Sequence, residues 1–295
     1  MSEVTQAVSL PPSTGKIGHR FRALLRSPSG LTGAILIAVL LVLTVLSFLD
    51  LLPYGPLHQD PPSRLLAPSA DHLFGTDQFG RDVFSRVAAG VANSALISIV
   101  AVAFATVIGT FAGLVAGFFR GVSDGVIGGV TNVLFAFPPL LLALALVSVF
   151  DRNWLTIAIA IAIVYIPIFI RVTRGPVLSL REIEYVKAAT STGQSRMMVM
   201  FKHVLPNITS IIIIQVTLSL SWAVLTEASL SFLGLGTPPP APSLGSMIFE
   251  ARSLVHVAPW TMVFPGLVVV ALVVGLNLLG DGLRDVLDPR NRGKR

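Results

Sequence analysis

The sequence predicts an all-α polytopic membrane protein of six transmembrane helices with both termini on the cytoplasmic side. Composition points there first. Of 295 residues 53% are hydrophobic and 12% charged, and the mean hydropathy is +0.80, more apolar surface than a soluble chain of this length can bury. The second observation is a series of six apolar runs of about 20 residues, the length that crosses a hydrocarbon core of about 30 Å. The third is the placement of lysine and arginine relative to those runs.

Taken in order, the runs are Leu31–Leu49, Val91–Phe119, Val126–Phe150, Trp154–Ile170, Ile208–Leu230 and Thr261–Leu279. The first follows a segment carrying Lys16, Arg20, Arg22 and Arg26, with no small-residue cleavage site after it, and is read as a retained helix. This divides the chain into a cytoplasmic N-terminal segment (1–30), a first helix (31–49), an extracytoplasmic loop (50–90), a transmembrane core (91–280) and a cytoplasmic tail (281–295). Within the core lie a cytoplasmic loop (181–207) and an extracytoplasmic one (231–260).

Basic residues set the orientation. With the N-terminus inside, four precede the first run, one lies between the second and third, six between the fourth and fifth, and five follow the sixth. Only Arg64, Arg81, Arg86, Arg152 and Arg252 of the 21 then fall outside. The net charge of +6 therefore reads as topology and attraction to anionic lipid. No aromatic-basic groove pattern accompanies it, which argues against nucleic acid as a partner.

The stretch YVKAATSTGQSRMMVMFKHVLPN, Tyr185 to Asn207, is a polar, basic, helix-forming segment between apolar runs. Glu182 and Glu184 suit a helix start, Ala188 and Ala189 propagate it, and Gly193 can end it in a left-handed conformation. Ser195 can cap a second short helix through Met197, Met198, Met200 and Phe201, which Pro206 is expected to stop. Small residues at such a bend allow close approach, and flexible methionines fit an irregular groove. The alternative is an amphipathic helix pair resting on lipid headgroups.

The spacing Lys187-Ala188-Ala189, three residues, Gly193, then Leu205-Pro206 resembles the EAA loop by which ABC importer permeases grip their ATP-binding subunits. Lysine stands where that pattern usually has glutamate. Three further stretches resemble the permeases for dipeptides, oligopeptides and nickel: HLFGTDQFGRDVFSR (His72–Arg86), EASLSFLGLGTPPPAPSLGSMI (Glu227–Ile248) and NLLGDGLRDVLDPR (Asn277–Arg290). Together they are most similar to the C-type permease of such an importer, the shorter partner of a B-type permease. The resemblance implies a type I ABC importer permease fold in the inner or plasma membrane. It also implies a heterodimer with a B-type permease, one or two ATP-binding subunits that bind ATP and magnesium, and an extracytoplasmic solute-binding protein delivering a peptide. It places Tyr185, Lys187, Ala188, Ala189, Gly193, Met197, Met198, Phe201, His203 and Pro206 in the contact with the ATPase, and no cofactor in this chain.

Polar residues inside apolar runs are costly in hydrocarbon unless they face protein or water. Gln215, Ser219, Thr226 and Glu227 of the fifth run are candidates for a translocation path. Gln215 and Ser219, four apart, share a face, and Glu227 is expected near the interface with water. The competing reading is that serine and threonine hydroxyls bond back to their own helix. Asp77, Arg81, Asp82 and Arg86 are candidate contacts for a solute-binding protein; the more modest reading pairs them with one another. Gly109, Gly113, Gly117 and Gly121 recur every four residues, with Gly125 and Gly129 in step, and leave one face smooth for close helix packing. The proline-rich segment from Gly234 to Pro259 is expected to form a second outer excursion dipping toward the bilayer.

Several functions are opposed by the residues. There is no phosphate-cradling glycine loop ending in lysine and serine or threonine, so the chain is not expected to hydrolyse ATP itself. Zero cysteines exclude disulfides and thiolate metal sites. His19, His58, His72, His203 and His256 are scattered without metal-ligand spacing, and no histidine or lysine lies in an apolar run to activate a serine. A six-helix secondary transporter or channel remains the alternative class, although such carriers commonly show inverted repeats and buried mid-membrane charges that are not evident here. Substrate also stays open, with peptide ahead of nickel, haem and oligosaccharide.

Overall fold

A computed structural model describes residues 24, 25 and 27–287. The basic residues Lys16, Arg20, Arg22 and Arg26, and the end of the Asn277–Arg290 motif with the tail beyond it, lie outside them.

Helix α1 (Pro28–Phe48) begins where a serine and a proline dictate. Ser27 accepts a hydrogen bond from the Gly30 N–H at 3.0 Å, and Pro28 occupies the first turn, where its missing donor costs nothing. An irregular segment follows, leading to α2 (Val83–Phe119), capped by Asp82, whose side chain accepts from the Ser85 N–H at 2.8 Å. At 37 residues and 1.5 Å per residue, α2 is about 55 Å long and must tilt or project beyond a bilayer.

The third apolar run differs from its expected single span. It forms two helices, α3 (Gly121–Phe135) and α4 (Pro139–Val149), bent 93° from each other. Pro138 and Pro139 explain the break, because proline lacks a donor and pushes the residue before it out of helical conformation. Helix α5 (Trp154–Leu180), capped by Asn153 accepting from Thr156 N–H, runs ten residues past the expected end. The elbow helices α6 (Glu184–Ser191) and α7 (Arg196–Val199) come next. Then follow a wide π turn (Met200–Val204), α8 (Leu205–Phe232), the short α9 (Leu244–Ala251) and α10 (Trp260–Leu287). Among the described residues five helices are long and apolar enough to span a membrane, six if the bent pair counts as one.

The most extensive packing is α2 against α5, and glycines permit it. A Cβ at Gly109 would come within 2.5 Å of Phe169 Cβ, and one at Gly113 within 2.7 Å of both Ile170 O and Thr173 Cβ. Gly117 meets Val177 in the same way, so the glycine stripe on α2 serves contact within the chain. Gly121, Gly125 and Gly129, by contrast, have nothing within 4 Å of a Cβ. Helices α1 and α10 cross on a second small-residue seam, Gly33 against Gly275 and Leu279. The segment after Gly234 contains the short helix α9, whose Leu244, Met247 and Ala251 are buried against α8, α10 and α2.

Candidate functional site

Three polar assemblies stand out against this apolar frame: an elbow at one end of the bundle, a cavity within it, and a charge cluster at the other end.

At the elbow, local chemistry determines the geometry. Gly193 adopts φ +85°, the left-handed conformation that ends α6. Ser195 then caps α7, accepting from the Met198 N–H at 3.3 Å. Val186, Ala189, Val199, Met200 and Val204 anchor the elbow on Leu114 and Val177. Tyr185, Lys187, Ala188, Gly193, Met197, Met198, Phe201 and Pro206 are left exposed. Met200, expected among the surface methionines, is fully buried. His203 pairs with Gln194 (Nε2 to Oε1, 3.2 Å), and Asn207 Nδ2 donates to the Tyr185 hydroxyl at 3.2 Å and to the His203 carbonyl at 2.6 Å. Lys187 lies 3.0 Å from Glu182, and this hydrogen bond holds the Glu182 carboxyl below its usual range, with Arg181 assisting.

Pro206 does not stop the helix, contrary to its sequence-based expectation. Residues Arg196–Phe232 form one continuous run of 37 residues. The π turn is the reason: the Leu205 N–H reaches back five residues to Met200 O, and proline then falls in the first turn after the irregularity. The elbow therefore passes without interruption into α8.

Helix α8 forms one wall of a cavity of about 530 Å³ whose other walls are α5 and the α3–α4 bend. Its lining is mainly apolar, with Tyr165, Gln215, Ser219, Trp222, Thr226 and Ser229 as the groups carrying polar atoms. Gln215 Nε2 donates to Ser219 Oγ at 3.0 Å, and the Tyr165 hydroxyl lies 3.2 Å from Thr226 Oγ1, joining α5 to α8. Back-bonding also occurs: Thr226 donates to Trp222 O and Ser229 to Leu225 O. Glu227 is corrected by the structure. It is not at a wet interface and does not line the cavity. It is fully buried on another face of α8, where Ser231 Oγ donates to its Oε1 at 2.6 Å and Ser243 Oγ in turn donates to Ser231.

The charge cluster corrects a second expectation. Asp77, Arg81, Asp82 and Arg86 are all buried, so their side chains are not available to a docking protein. Arg81 Nε donates to Asp77 Oδ2 at 2.6 Å, and Arg86 Nε lies 3.5 Å from the same oxygen. Both guanidinium groups converge on Glu250 Oε2 of α9, at 2.9 and 3.1 Å. Two cations and two anions thus close a ring that pins the segment before α2 to α9. Asp82 instead caps α2 and meets His72 Nδ1 at 3.0 Å.

Sequence reasoning missed Glu250, Tyr165 and Trp222. Tyr165 does interrupt an apolar run, a signal that was present; Glu250 had no local signal, since its partners lie 164 and 169 residues away.

A multi-pass helical bundle, with a glycine elbow that continues directly into a cavity-lining span, has the construction of a membrane transport subunit. Comparison with known proteins makes this specific. The chain belongs to the family of binding-protein-dependent transport system inner membrane components, whose family model matches residues 109–293. It is 40% identical over 261 residues to the dipeptide transport system permease protein DppC of Alkalihalophilus pseudofirmus, covering 86% of each chain. It is also 40% identical over 276 residues to the glutathione transport system permease protein GsiD of Escherichia coli O1:K1, covering 93% of this chain and 90% of the relative. Among solved structures, a chain of the MetNI methionine ABC transporter in inward-facing conformations superposes with a TM-score of 0.53 at 19% identity, over 67% of this chain and 94% of that one. That likeness concerns the fold, a type I ABC importer permease. The chain is a multi-pass permease component of a membrane transport system.

Proposed function

We propose that this chain forms half of the translocation path of an ATP-driven importer of di- or oligopeptides. The observation that carries the reading is the unbroken helix Arg196–Phe232, which has an exposed elbow at one end and the polar strip of the cavity along its length. The names of the two relatives, a dipeptide and a glutathione permease, favour a short peptide as cargo.

The partners are a B-type permease completing a heterodimer, one or two ATP-binding subunits carrying ATP and magnesium, and a solute-binding protein on the extracytoplasmic side. The distribution of basic residues supports cytoplasmic termini and a cytoplasmic elbow. Tyr185, Lys187, Ala188, Ala189, Gly193, Met197, Met198, Phe201, His203 and Pro206 form or support the contact with the ATPase. Closure of the nucleotide-binding subunits on ATP displaces α6 and α7, and because α7 continues into α8 the displacement reaches Gln215, Ser219 and Thr226. Lys187, engaged by Glu182 of its own chain, leaves room for a charge contact of sign opposite to the family's usual one.

The test is to express the chain with its genomic neighbours, purify through a tag on this subunit, and record co-purifying proteins and ATPase activity. A second permease and an ATPase, with hydrolysis stimulated by a peptide-loaded binding protein, is the expected result. A lone chain indifferent to ATP would overturn the reading in favour of a secondary transporter.

A further inference from the structure

The side-chain N–H donors still unspent in the cavity belong to two residues. Thr226 and Ser229 donate to carbonyls of their own helix, and Thr226 is also engaged by Tyr165. Ser219 accepts from Gln215. Gln215 therefore keeps one N–H and its amide oxygen. Trp222, 60% exposed and lining the cavity, has an indole N–H with no acceptor among the described residues, whereas the Trp260 indole donates to Thr76 O at 3.1 Å. Gln215 and Trp222 are seven residues apart on α8, so they face the same way, about 10 Å apart along the axis. An extended chain of three residues spans about 10 Å. The residues lining the cavity include no lysine, arginine, histidine, aspartate or glutamate.

Resting on the peptide reading above, we infer that Trp222 and Gln215 are the residues that hold the cargo in transit, donating N–H groups to main-chain carbonyls of a peptide of two or three residues. A neutral site of this kind recognises what all short peptides share. It places no opposite charge beside a cargo side chain, so it holds the chain without trapping one sequence, and selection by side chain falls to another component. Tyr165, already bonded to Thr226, sets the spacing between α5 and α8 and is a positioning residue.

The experiment uses the complete complex in proteoliposomes, with benzoylphenylalanine introduced at position 222, at 215, or at 213, where Ile213 is partly exposed on the same helix outside the cavity. Photolysis is carried out during ATP turnover with a radiolabelled alanine tripeptide. Label is expected at 222 and 215, ATP-dependent and about tenfold above that at 213. Label absent from 222, equal at 213, or replaced there by phospholipid or the partner permease would overturn the assignment. A second arm compares uptake by Trp222→Phe, which keeps a ring but loses the donor, with Trp222→His, which keeps a ring N–H. Uptake is expected to fall about three- to tenfold in the first and to recover at least half of that loss in the second; equal uptake by the two variants would overturn the donor role. A wild-type complex that takes up no peptide while transporting another solute would instead remove the peptide reading, and the assigned cargo with it.

Discussion

The two ends of the bundle handle polar residues in opposite ways. At the elbow, Tyr185, Lys187, Met197 and Met198 point outward, and the backbone beneath them is held by neighbours in sequence: Ser195 with Met198, Lys187 with Glu182, Asn207 with His203. At the opposite end, Asp77, Arg81 and Arg86 turn inward and are held by Glu250 from a distant helix. An exposed, locally encoded surface suits an exchangeable partner. A buried ring of charges suits a joint that must stay closed, because separating its members would strand uncompensated charge in the interior. Polarity at a membrane boundary therefore does not by itself identify a docking surface; burial decides.

The largest expected effect tests the joint. Arg86 is 1% exposed, and Arg86→Ala leaves Arg81 alone to balance both Asp77 and Glu250, at an expected cost of about 3 kcal/mol. Thermal challenge in detergent followed by size-exclusion chromatography would show early loss of the monodisperse species. A wild-type melting profile would mean that the ring contributes no stability.

The next contrast lies within one glycine series. Gly113→Val must displace Thr173 and the Ile170 backbone and is expected to destabilise by about 1–3 kcal/mol. Gly125→Ala enters open space and should be neutral or stabilising by up to about 1 kcal/mol through helix propensity. Similar melting temperatures for the two variants would contradict the assigned packing.

At the elbow the energetic effect is smaller and the functional one larger. Gly193→Ala forces a side chain into φ +85°, costing about 1–2 kcal/mol locally. A bulky charged replacement, Gly193→Glu, is expected to leave membrane insertion intact while ATP hydrolysis proceeds without uptake, read by parallel phosphate-release and uptake assays. Normal uptake would refute the lever.

The smallest effect concerns the exposed pair at Glu182. Its carboxyl is held below the usual range chiefly by the Lys187 hydrogen bond, so its contribution is fully present above the unfolded value of about 4.3 and is lost as pH falls through the lower folded value. Hydrogen exchange of the 181–192 segment, corrected for intrinsic rate, should be flat from neutrality to about pH 5 and rise only in more acid solution. In Lys187→Ala the segment should exchange faster already at neutrality and the acid rise should shrink; a curve coincident with wild type would show that the pair is not formed.

How far each feature was legible follows from the range of the interactions that make it. Gly193 and Ser195 were readable because a C-terminal glycine and an N-cap act within four residues. Pro206 was misread because the rule that proline stops a helix presumes a regular α-ladder before it, and the π turn is set by packing of Met200 and Val204 against the bundle. The Val126–Phe150 run was readable as apolar, but its fold into two helices depends on Pro138 and Pro139, which hydropathy alone does not register. Gln215 and Ser219 could be paired by spacing; that they line a cavity while Glu227 turns away could not, since α8 is apolar on nearly every face and its rotation is decided by α2, α5, α9 and α10 around it.

The linear order of residues was sufficient to establish the class of molecule, the number of apolar runs, the likeness to importer permeases and the glycine elbow, because transfer into lipid, charge asymmetry and capping are properties of short stretches of chain. Tertiary structure alone decided which polar groups face a cavity, which face a partner and which are sealed in a charge ring. Inside a membrane nearly every helix face is apolar, hydrophobicity does not choose among them, and the choice passes to shape: where glycines let α2 meet α5, where Pro138 turns the chain, and where Glu250 arrives beside two arginines.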